Sequence, residues 1–239
     1  FFIFYIYRHA SKVIVFCGGE NYNDLVKMNL DEISEQLFNL PKVELHCHLE
    51  LAFRSSTMME WALEDGFKIH SEEDFAREFL ILEPMADLPT VLKKFLHTRD
   101  RLSSLERIER LAFEACEDMY LKSNVRILEL RYAPSFTLDV FPNLGADNLH
   151  RAIVKGCVRA EMMYPMAVGL ICLLQRIKTH KENMYWCDFA IDHKGEFLAV
   201  DLADNEVDYP PKQFAPMFDK AKAAGLGITI HAGEPDLPG

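Results

Sequence analysis

Four residues at the ends of two apolar segments have the types and the spacing of a metal centre. His46 and His48 are two apart within KVELHCHL, so on a β-strand both side chains face the same way. His231 closes the apolar stretch of GLGITIHAGE, and Glu234 follows it after an Ala-Gly step that lets the backbone turn. Neutral imidazoles that converge at strand ends suit Zn²⁺ or another borderline metal. For the first two histidines alone, a hydrogen-bonded structural pair is the alternative.

Zinc is the metal that the full set favours. Three protein ligands are the usual number in a catalytic zinc site, and His46, His48 and His231 supply them. A zinc ion lowers the pKa of a bound water toward neutrality and so provides a nucleophile. Glu234 is the candidate general acid or base, whereas a lone loop carboxylate would only be solvated. The sequence therefore predicts one Zn²⁺ per chain and hydrolytic chemistry.

Five short apolar segments, separated by helical patterns, must position these residues. Such alternation indicates parallel βα units. The predicted strands are 42–49, 125–134, 166–176, 196–204 and 225–234, with a further strand within 13–19. The predicted helices include 24–40, 87–102, 105–124, 147–164 and 212–224.

The expected fold class is α/β, a (β/α)₈ TIM barrel of the metal-dependent hydrolase type. Polar residues able to do chemistry follow the first, fourth and fifth of these strands, where barrel active sites lie. No G-x-G-x-x-G turn marks a dinucleotide-binding sheet. Strict alternation puts the histidines inside the barrel and turns Val43, Leu45 and Cys47 toward the helices. Because a complete barrel takes about 250 residues, we expect an incomplete one with about five strands.

The composition disfavours two classes of partner. The chain has a formal net charge of −11 and no run of Lys or Arg, which argues against nucleic acid and anionic membranes. Its opening FFIFYIY is too short to span a bilayer. Six cysteines form no CxxC pair, which favours reduced thiols and a cytoplasmic location.

Several motifs, taken together and in order, resemble the adenosine/AMP deaminase branch of the amidohydrolases. They are PKVELHCHLE (41–50), LERIERLAFEACEDMY with VRILELRYAP (within 105–134), VDLAD (200–204) and HAGE (231–234). In addition, DLPTVLKKF (87–95) resembles the helix that closes the purine pocket. By this resemblance, residues 23–239 are the N-terminal part of a deaminase barrel and residues 1–22 are an extension of unknown role.

The resemblance implies zinc-dependent hydrolytic deamination of adenosine and 2′-deoxyadenosine to inosine and ammonia, in purine salvage. The three histidines match the zinc ligands, and Glu234 matches the acid that protonates ring N1 and makes C6 more electrophilic. The positions that match contacts to the small purine nucleoside are His48, Glu50, Asp204, Leu88, Val91, Leu92 and Phe95. The last four also form one helical stripe, so core packing explains their spacing equally well.

Departures from the family pattern concern the substrate more than the chemistry. Glu50 and Leu51 stand where the family has Asp-Gly, whose carboxylate binds a ribose hydroxyl. Asp204 stands at a glycine position whose backbone N–H reaches the purine, so it adds bulk and charge there. The family also uses a histidine at the sixth strand and an aspartate ligand near the eighth, which no residue of this chain matches.

Two other functions stay open. One is deamination of another 6-aminopurine such as AMP, for which Arg54 and Arg131 are the candidate phosphate-binding cations. The other is a truncated, non-catalytic barrel that acts as a binding or regulatory partner. A binuclear amidohydrolase is disfavoured because no bridging lysine ends the fourth strand. The cytidine deaminase type is excluded because its H-x-E…P-C-x-x-C signature is absent.

Overall fold

The computed structural model describes residues 6–9, 12–15, 30–83 and 88–233, and the chain divides into two compact units, Phe1–Leu40 and Pro41–Gly239. In the first unit, β1 (Ile6–His9) and β2 (Lys12–Val15) form an antiparallel pair. The strand predicted within 13–19 is confirmed as far as residue 15, and its remainder lies outside the described residues. Helix α1 (Leu30–Asn39) confirms the described part of the helix predicted at 24–40. A boundary after residue 22 stays a prediction.

The second unit is built on one sheet of five parallel strands. They are β3 (Lys42–His48), β4 (Val125–Tyr132), β5 (Ala167–Gln175), β6 (Phe197–Ala203) and β7 (Gly227–Ile228). Each strand pairs with the next one along the chain, in the order β3-β4-β5-β6-β7. A doubly wound sheet would reverse its strand order at a switch point, whereas a barrel keeps chain order. The α/β prediction is confirmed, and the described residues contain the five strands expected.

Helices connect and cover these strands. They are α2 (Ser55–Glu64), α3 (Glu72–Phe79), α4 (Leu88–Arg99), α5 (Leu105–Ser123), α6 (Pro134–Leu138), α7 (Ala146–Met163), α8 (His180–Asp192) and α9 (Ala215–Ala223). The helices predicted at 87–102, 105–124 and 147–164 are confirmed to within a few residues. The one predicted at 212–224 begins as a 3₁₀ turn, Pro211–Phe214, ahead of α9. No helix among the described residues is long and apolar enough to cross a membrane.

Local signals at the ends of α5 set the start of the sheet. The Ser104 hydroxyl accepts a hydrogen bond from the Arg107 N–H at 3.2 Å, which caps the helix N-terminus. Asn124 ends the helix in the left-handed conformation, with φ of 53°. Its carbonyl then accepts a hydrogen bond from the Lys42 N–H at 3.0 Å, so β4 begins beside the start of β3.

The core lies between the sheet and its helices. Leu128 and Leu130 of β4, Leu174 of β5 and Leu202 of β6 are all fully buried there. The five cysteines among the described residues are also buried, and none forms a disulfide. That arrangement fits the expectation of reduced thiols for the residues described.

One expectation about β3 is wrong. Val43, Leu45 and Cys47 do not share a face, because a register shift ahead of Cys47 interrupts the alternation. Val43 pairs with Ile127, whereas Cys47 pairs with Leu130, three residues further along β4. Cys47 is therefore buried against the helices, whereas Val43 and Leu45 are each 55% exposed. The irregularity is a bulge, which strict period-two reasoning cannot foresee.

Candidate active site

Three histidines converge where the strands end. The Nε2 atoms of His46 and His48 are 3.2 Å apart, and those of His48 and His231 are 3.0 Å apart. All three ligand atoms lie within 4.8 Å of one another, the arrangement of a possible metal site. A tetrahedral zinc with Zn–N bonds of about 2.0–2.1 Å holds its ligand atoms about 3.3 Å apart. The spacing of the three histidines fits such an ion.

The charge state of the histidines fits a metal as well. The pKa of His48 is lowered to about 3, mainly because the side chain is buried and also because His231 and His46 lie beside it. Burial and the positive charge of Arg131 also lower the pKa of His46. Both imidazoles are therefore neutral at physiological pH, and the neutral imidazole is the form that binds a metal.

His231 is held from its backbone as well as its side chain. Its N–H donates to the Leu202 carbonyl at 2.9 Å, and its own carbonyl accepts from Nη2 of Arg176 at 2.7 Å. The Asp201 carboxylate lies 3.2 Å from its Nδ1. These bonds continue the line of β7, although the strand itself ends at Ile228, well short of the prediction of 225–234.

Neither candidate phosphate-binding arginine reaches the site as a free cation. Arg131 is 1% exposed, and its guanidinium donates to Asp201 and to the Leu45 carbonyl. Arg54 pairs with Glu117 and Asp118 beside a separate groove. The expectation for these two residues is therefore wrong, because both guanidinium groups are already paired with carboxylates.

A cavity of about 500 Å³ lies against the three histidines. That size suits a small-molecule ligand. Val91, Leu92 and Phe95 of α4 are half-buried and line the cavity, so their stripe forms a wall of the cavity rather than only a packed core. Leu88 begins the same helix, but its side chain lies outside the described residues.

Two predicted substrate contacts, Glu50 and Asp204, also line the cavity. Oε1 of Glu50 accepts a hydrogen bond from the Ala133 N–H at 2.6 Å, and burial raises the pKa of this carboxyl to about 7 despite that bond. Asp204 has a φ of 85° and accepts from Nε2 of Gln175 at 3.1 Å. Burial raises the pKa of Asp204 too.

Sequence reasoning missed several residues that line the cavity, and three of them, Gln175, Arg99 and Lys178, have side chains that can bind a polar ligand. Gln175 ends β5 and accepts a hydrogen bond from the Ser135 hydroxyl at 2.7 Å. The sequence did carry a signal for Gln175, because a polar residue there ends a long apolar strand, and the histidines were found by a similar signal. Arg99 and Lys178 also line the cavity, and no sequence pattern marks them. Glu234 lies outside the described residues, so its role stays a prediction.

Comparison with known proteins places the chain in a family. The family model described as adenosine deaminase matches residues 41–238. The adenosine deaminase of Plasmodium falciparum is 33% identical over 214 residues, which cover 88% of this chain and 57% of that protein. The adenosine deaminase of Clostridium perfringens is 34% identical over 206 residues, covering 83% of this chain and 60% of that protein. The chain thus spans less than two thirds of the length of these relatives.

Solved structures give the same assignment. An amidohydrolase from Burkholderia ambifaria with bound Zn has a TM-score of 0.75 at 28% identity, over 87% of this chain and 56% of that one. The N6-mAMP deaminase of Arabidopsis has a TM-score of 0.72 at 27% identity, over 86% of this chain and 62% of that one. An Arabidopsis protein complexed with IMP has a TM-score of 0.72 at 26% identity, over 86% and 61%. The chain therefore belongs to the adenosine deaminase family and has the fold of its amidohydrolase relatives.

Proposed function

We propose that the full-length protein is a zinc-dependent hydrolase that converts adenosine and 2′-deoxyadenosine to inosine and ammonia. The observation that carries the proposal is the convergence of three histidine Nε2 atoms on the wall of a cavity of about 500 Å³. The similarity to curated adenosine deaminases at 33% and 34% identity supports the choice of substrate.

His46, His48 and His231 are the residues that would hold one zinc ion. When bound in such a site, zinc makes water nucleophilic at neutral pH. The chain prepares the site by keeping His46 and His48 neutral and by fixing His231 through Asp201 and the strand β6. We assign to Glu234 the proton that reaches purine N1, as the family resemblance implies.

Different parts of the cavity wall would bind the purine ring and the ribose of the nucleoside. Val91, Leu92 and Phe95 offer an apolar surface on which a purine ring can pack and from which water is excluded. Glu50 can both donate and accept a hydrogen bond near neutral pH, because its pKa is about 7. A ribose hydroxyl is a partner of matching chemistry. Asp204 lines the cavity where its backbone turns.

A nucleotide is the second candidate substrate. Structural relatives include an N6-mAMP deaminase and a protein complexed with IMP, and Arg99 and Lys178 line the cavity. Nζ of Lys178, however, lies 2.5 Å from Oδ2 of Asp139, and Nη2 of Arg99 lies 3.0 Å from Oδ1 of Asp100, so both cations are already paired with carboxylates. This pairing favours an uncharged nucleoside over a phosphorylated one. We expect kcat/KM to be higher for adenosine than for AMP or N6-methyl-AMP. The reverse order would identify a nucleotide as the substrate.

The test of the reaction is the fall in ultraviolet absorbance as adenosine becomes inosine, followed with the full-length, zinc-loaded protein. A Glu234→Gln variant should lose at least about 100-fold in kcat, because general acid–base groups contribute that much or more. Its zinc content should not change. Full activity in this variant would overturn the role of Glu234, and no deamination by the zinc-loaded parent would overturn the proposed function.

We also propose that the protein acts in purine salvage in the cytoplasm. Free, buried cysteines among the described residues support a reducing compartment. Residues 1–22 remain, in this proposal, an extension that precedes the deaminase barrel.

A further inference from the structure

Arg131 contacts both the strand that carries His46 and His48 and the carboxylate that contacts His231, but it is not one of the predicted zinc ligands. The residue stands near the end of β4, is 1% exposed, and pairs directly with His48 in the sheet register. A buried guanidinium is costly unless its donors find acceptors. The acceptors that Arg131 finds are a backbone carbonyl on one neighbouring strand and a carboxylate on another.

One terminal nitrogen of the guanidinium contacts the strand that carries His46 and His48. Nη2 of Arg131 donates to the Leu45 carbonyl at 2.5 Å. Leu45 lies inside the bulge of β3, where the register against β4 shifts between Glu44 and Cys47. A bulge re-aims the side chains that follow it. This hydrogen bond therefore fixes the stretch of backbone that directs His46.

The other terminal nitrogen reaches His231 through a carboxylate. Nη1 of Arg131 donates to Oδ2 of Asp201 at 2.5 Å, and Asp201 is fully buried. Oδ1 of Asp201 lies 3.2 Å from Nδ1 of His231. A carboxylate at that distance accepts the Nδ1 proton, which leaves the Nε2 lone pair of His231 facing His48, 3.0 Å away. Such a partner fixes both the tautomer and the orientation of a metal-binding imidazole.

We propose that Arg131 is the positioning residue of the metal centre, a single buried side chain that sets the spacing between His46 and His48 on one strand and His231 on another. The inference rests on the proposed zinc site. It assigns to Arg131 a role in metal affinity rather than in substrate binding. It also explains why arginine stands here: a lysine ammonium keeps the charge but lacks the planar fork that reaches two acceptors in different directions.

The test measures zinc affinity and needs no catalysis. Zinc chloride is titrated into the metal-free, full-length protein in competition with a chromophoric chelator, and thermal unfolding of the metal-free form is recorded alongside. The first variant is Arg131→Lys. The second is Arg131→Met/Asp201→Asn, which leaves no buried charge unpaired and keeps an acceptor for Nδ1 of His231, so it is expected to fold even where the first variant does not.

The matched control is Arg101→Lys. Arg101 is also buried, at 6% exposure, and its Nε pairs with Asp65 at 2.9 Å, at the end of α2. This variant makes the same chemical change at another buried arginine, whose partner Asp65 is exposed, so it reports what an arginine-to-lysine change away from the histidines does to the fold. Its zinc Kd should stay within about twofold of the parent value.

Both Arg131 variants should raise the zinc Kd by about 10- to 100-fold, the cost typical of losing a partner that orients a metal ligand. Their metal-free unfolding midpoints should stay near that of the control. The absorption spectrum of the Co²⁺-substituted protein should also change, since it reports the geometry of the ligands. Zinc affinities within about twofold of the parent in both variants would overturn the proposal. So would a loss of affinity that merely follows a loss of thermal stability. A parent protein that binds no zinc would instead overturn the proposed function.

Discussion

At the scale of single residues, Asp204 combines a position at the cavity with an unusual backbone conformation. Its φ of 85° lies in a region that side-chain-bearing residues rarely occupy. Two hydrogen bonds compensate, from Nε2 of Gln175 at 3.1 Å and from the Asn205 N–H at 2.7 Å. The sequence predicted that Asp204 lies at the cavity, but the conformation depends on a turn that only the folded sheet defines.

A pair of substitutions at this position separates backbone strain from lost hydrogen bonds. Asp204→Gly and Asp204→Ala lose the same carboxylate, but only glycine adopts a positive φ without steric cost. We expect the alanine variant to be about 1 kcal/mol less stable to urea than the glycine variant. Equal free energies of unfolding for the two variants would contradict strain at Asp204.

A second residue, His150, should make stability depend on pH. It is 1% exposed, with Nδ1 at 2.7 Å from the Tyr132 hydroxyl and Nε2 at 2.7 Å from Glu196. Burial lowers the pKa of His150, and Glu196 only partly opposes this; His193 lowers the pKa further and Asp147 raises it. The folded state therefore holds a neutral imidazole, while the unfolded chain takes up a proton below about pH 6.5.

The contribution of His150 to stability should be fully present above that pH and should be lost as the pH falls, by at most about 1.4 kcal/mol per pH unit. The measurement is the urea midpoint of the metal-free protein between about pH 7.5 and pH 5.5. A His150→Gln variant, which cannot titrate, should show a shallower dependence on pH. Parallel curves for the two proteins would show that His150 does not carry the effect.

At the scale of elements, the contact between α5 and α7 depends on a glycine, Gly156. A Cβ added to Gly156 of α7 would stand 2.4 Å from the Glu109 carbonyl oxygen and 2.9 Å from the Phe113 nitrogen of α5. Backbone atoms cannot move aside as a flexible side chain could. Gly156→Ala should therefore force the two helices apart and cost about 1–3 kcal/mol of unfolding free energy.

Gly195 provides the matched control for this prediction. A Cβ there meets nothing within 4 Å, so Gly195→Ala should change stability by no more than about 0.5 kcal/mol. Chemical denaturation of both variants decides the matter. A Gly156→Ala variant as stable as the Gly195→Ala variant would contradict the close approach of α5 and α7.

Helices and strands were predictable from the sequence to different degrees. The bounds of α5 follow from local signals, the cap at Ser104 and the turn at Asn124. The bulge in β3 and the short β7 do not, because both depend on pairing with strands distant in sequence. Period-two alternation therefore predicted correctly that the side chains of His46 and His48 meet, but it assigned Val43 to the wrong face.

At the scale of the whole molecule, the site joins the first and last strands of the five-stranded sheet. His48 and His231 are 183 positions apart in the chain, yet their Nε2 atoms are 3.0 Å apart. The residue types were readable from the sequence because each histidine ends an apolar run. Their partners, Asp201 and Arg131, were not assigned this role, because a buried pair between distant strands leaves no local pattern.

The central claim is that these histidines hold a zinc ion on which deamination of adenosine depends. The most direct measurement strips the full-length protein of metal with a chelator, restores zinc in steps, and records bound zinc and ammonia released from adenosine together. We predict that activity returns in proportion to zinc, saturates at one ion per chain, and stays absent in a His46→Ala/His48→Ala variant that no longer binds the ion. Undiminished ammonia release from the stripped protein, or unchanged zinc binding by the double variant, would contradict the claim.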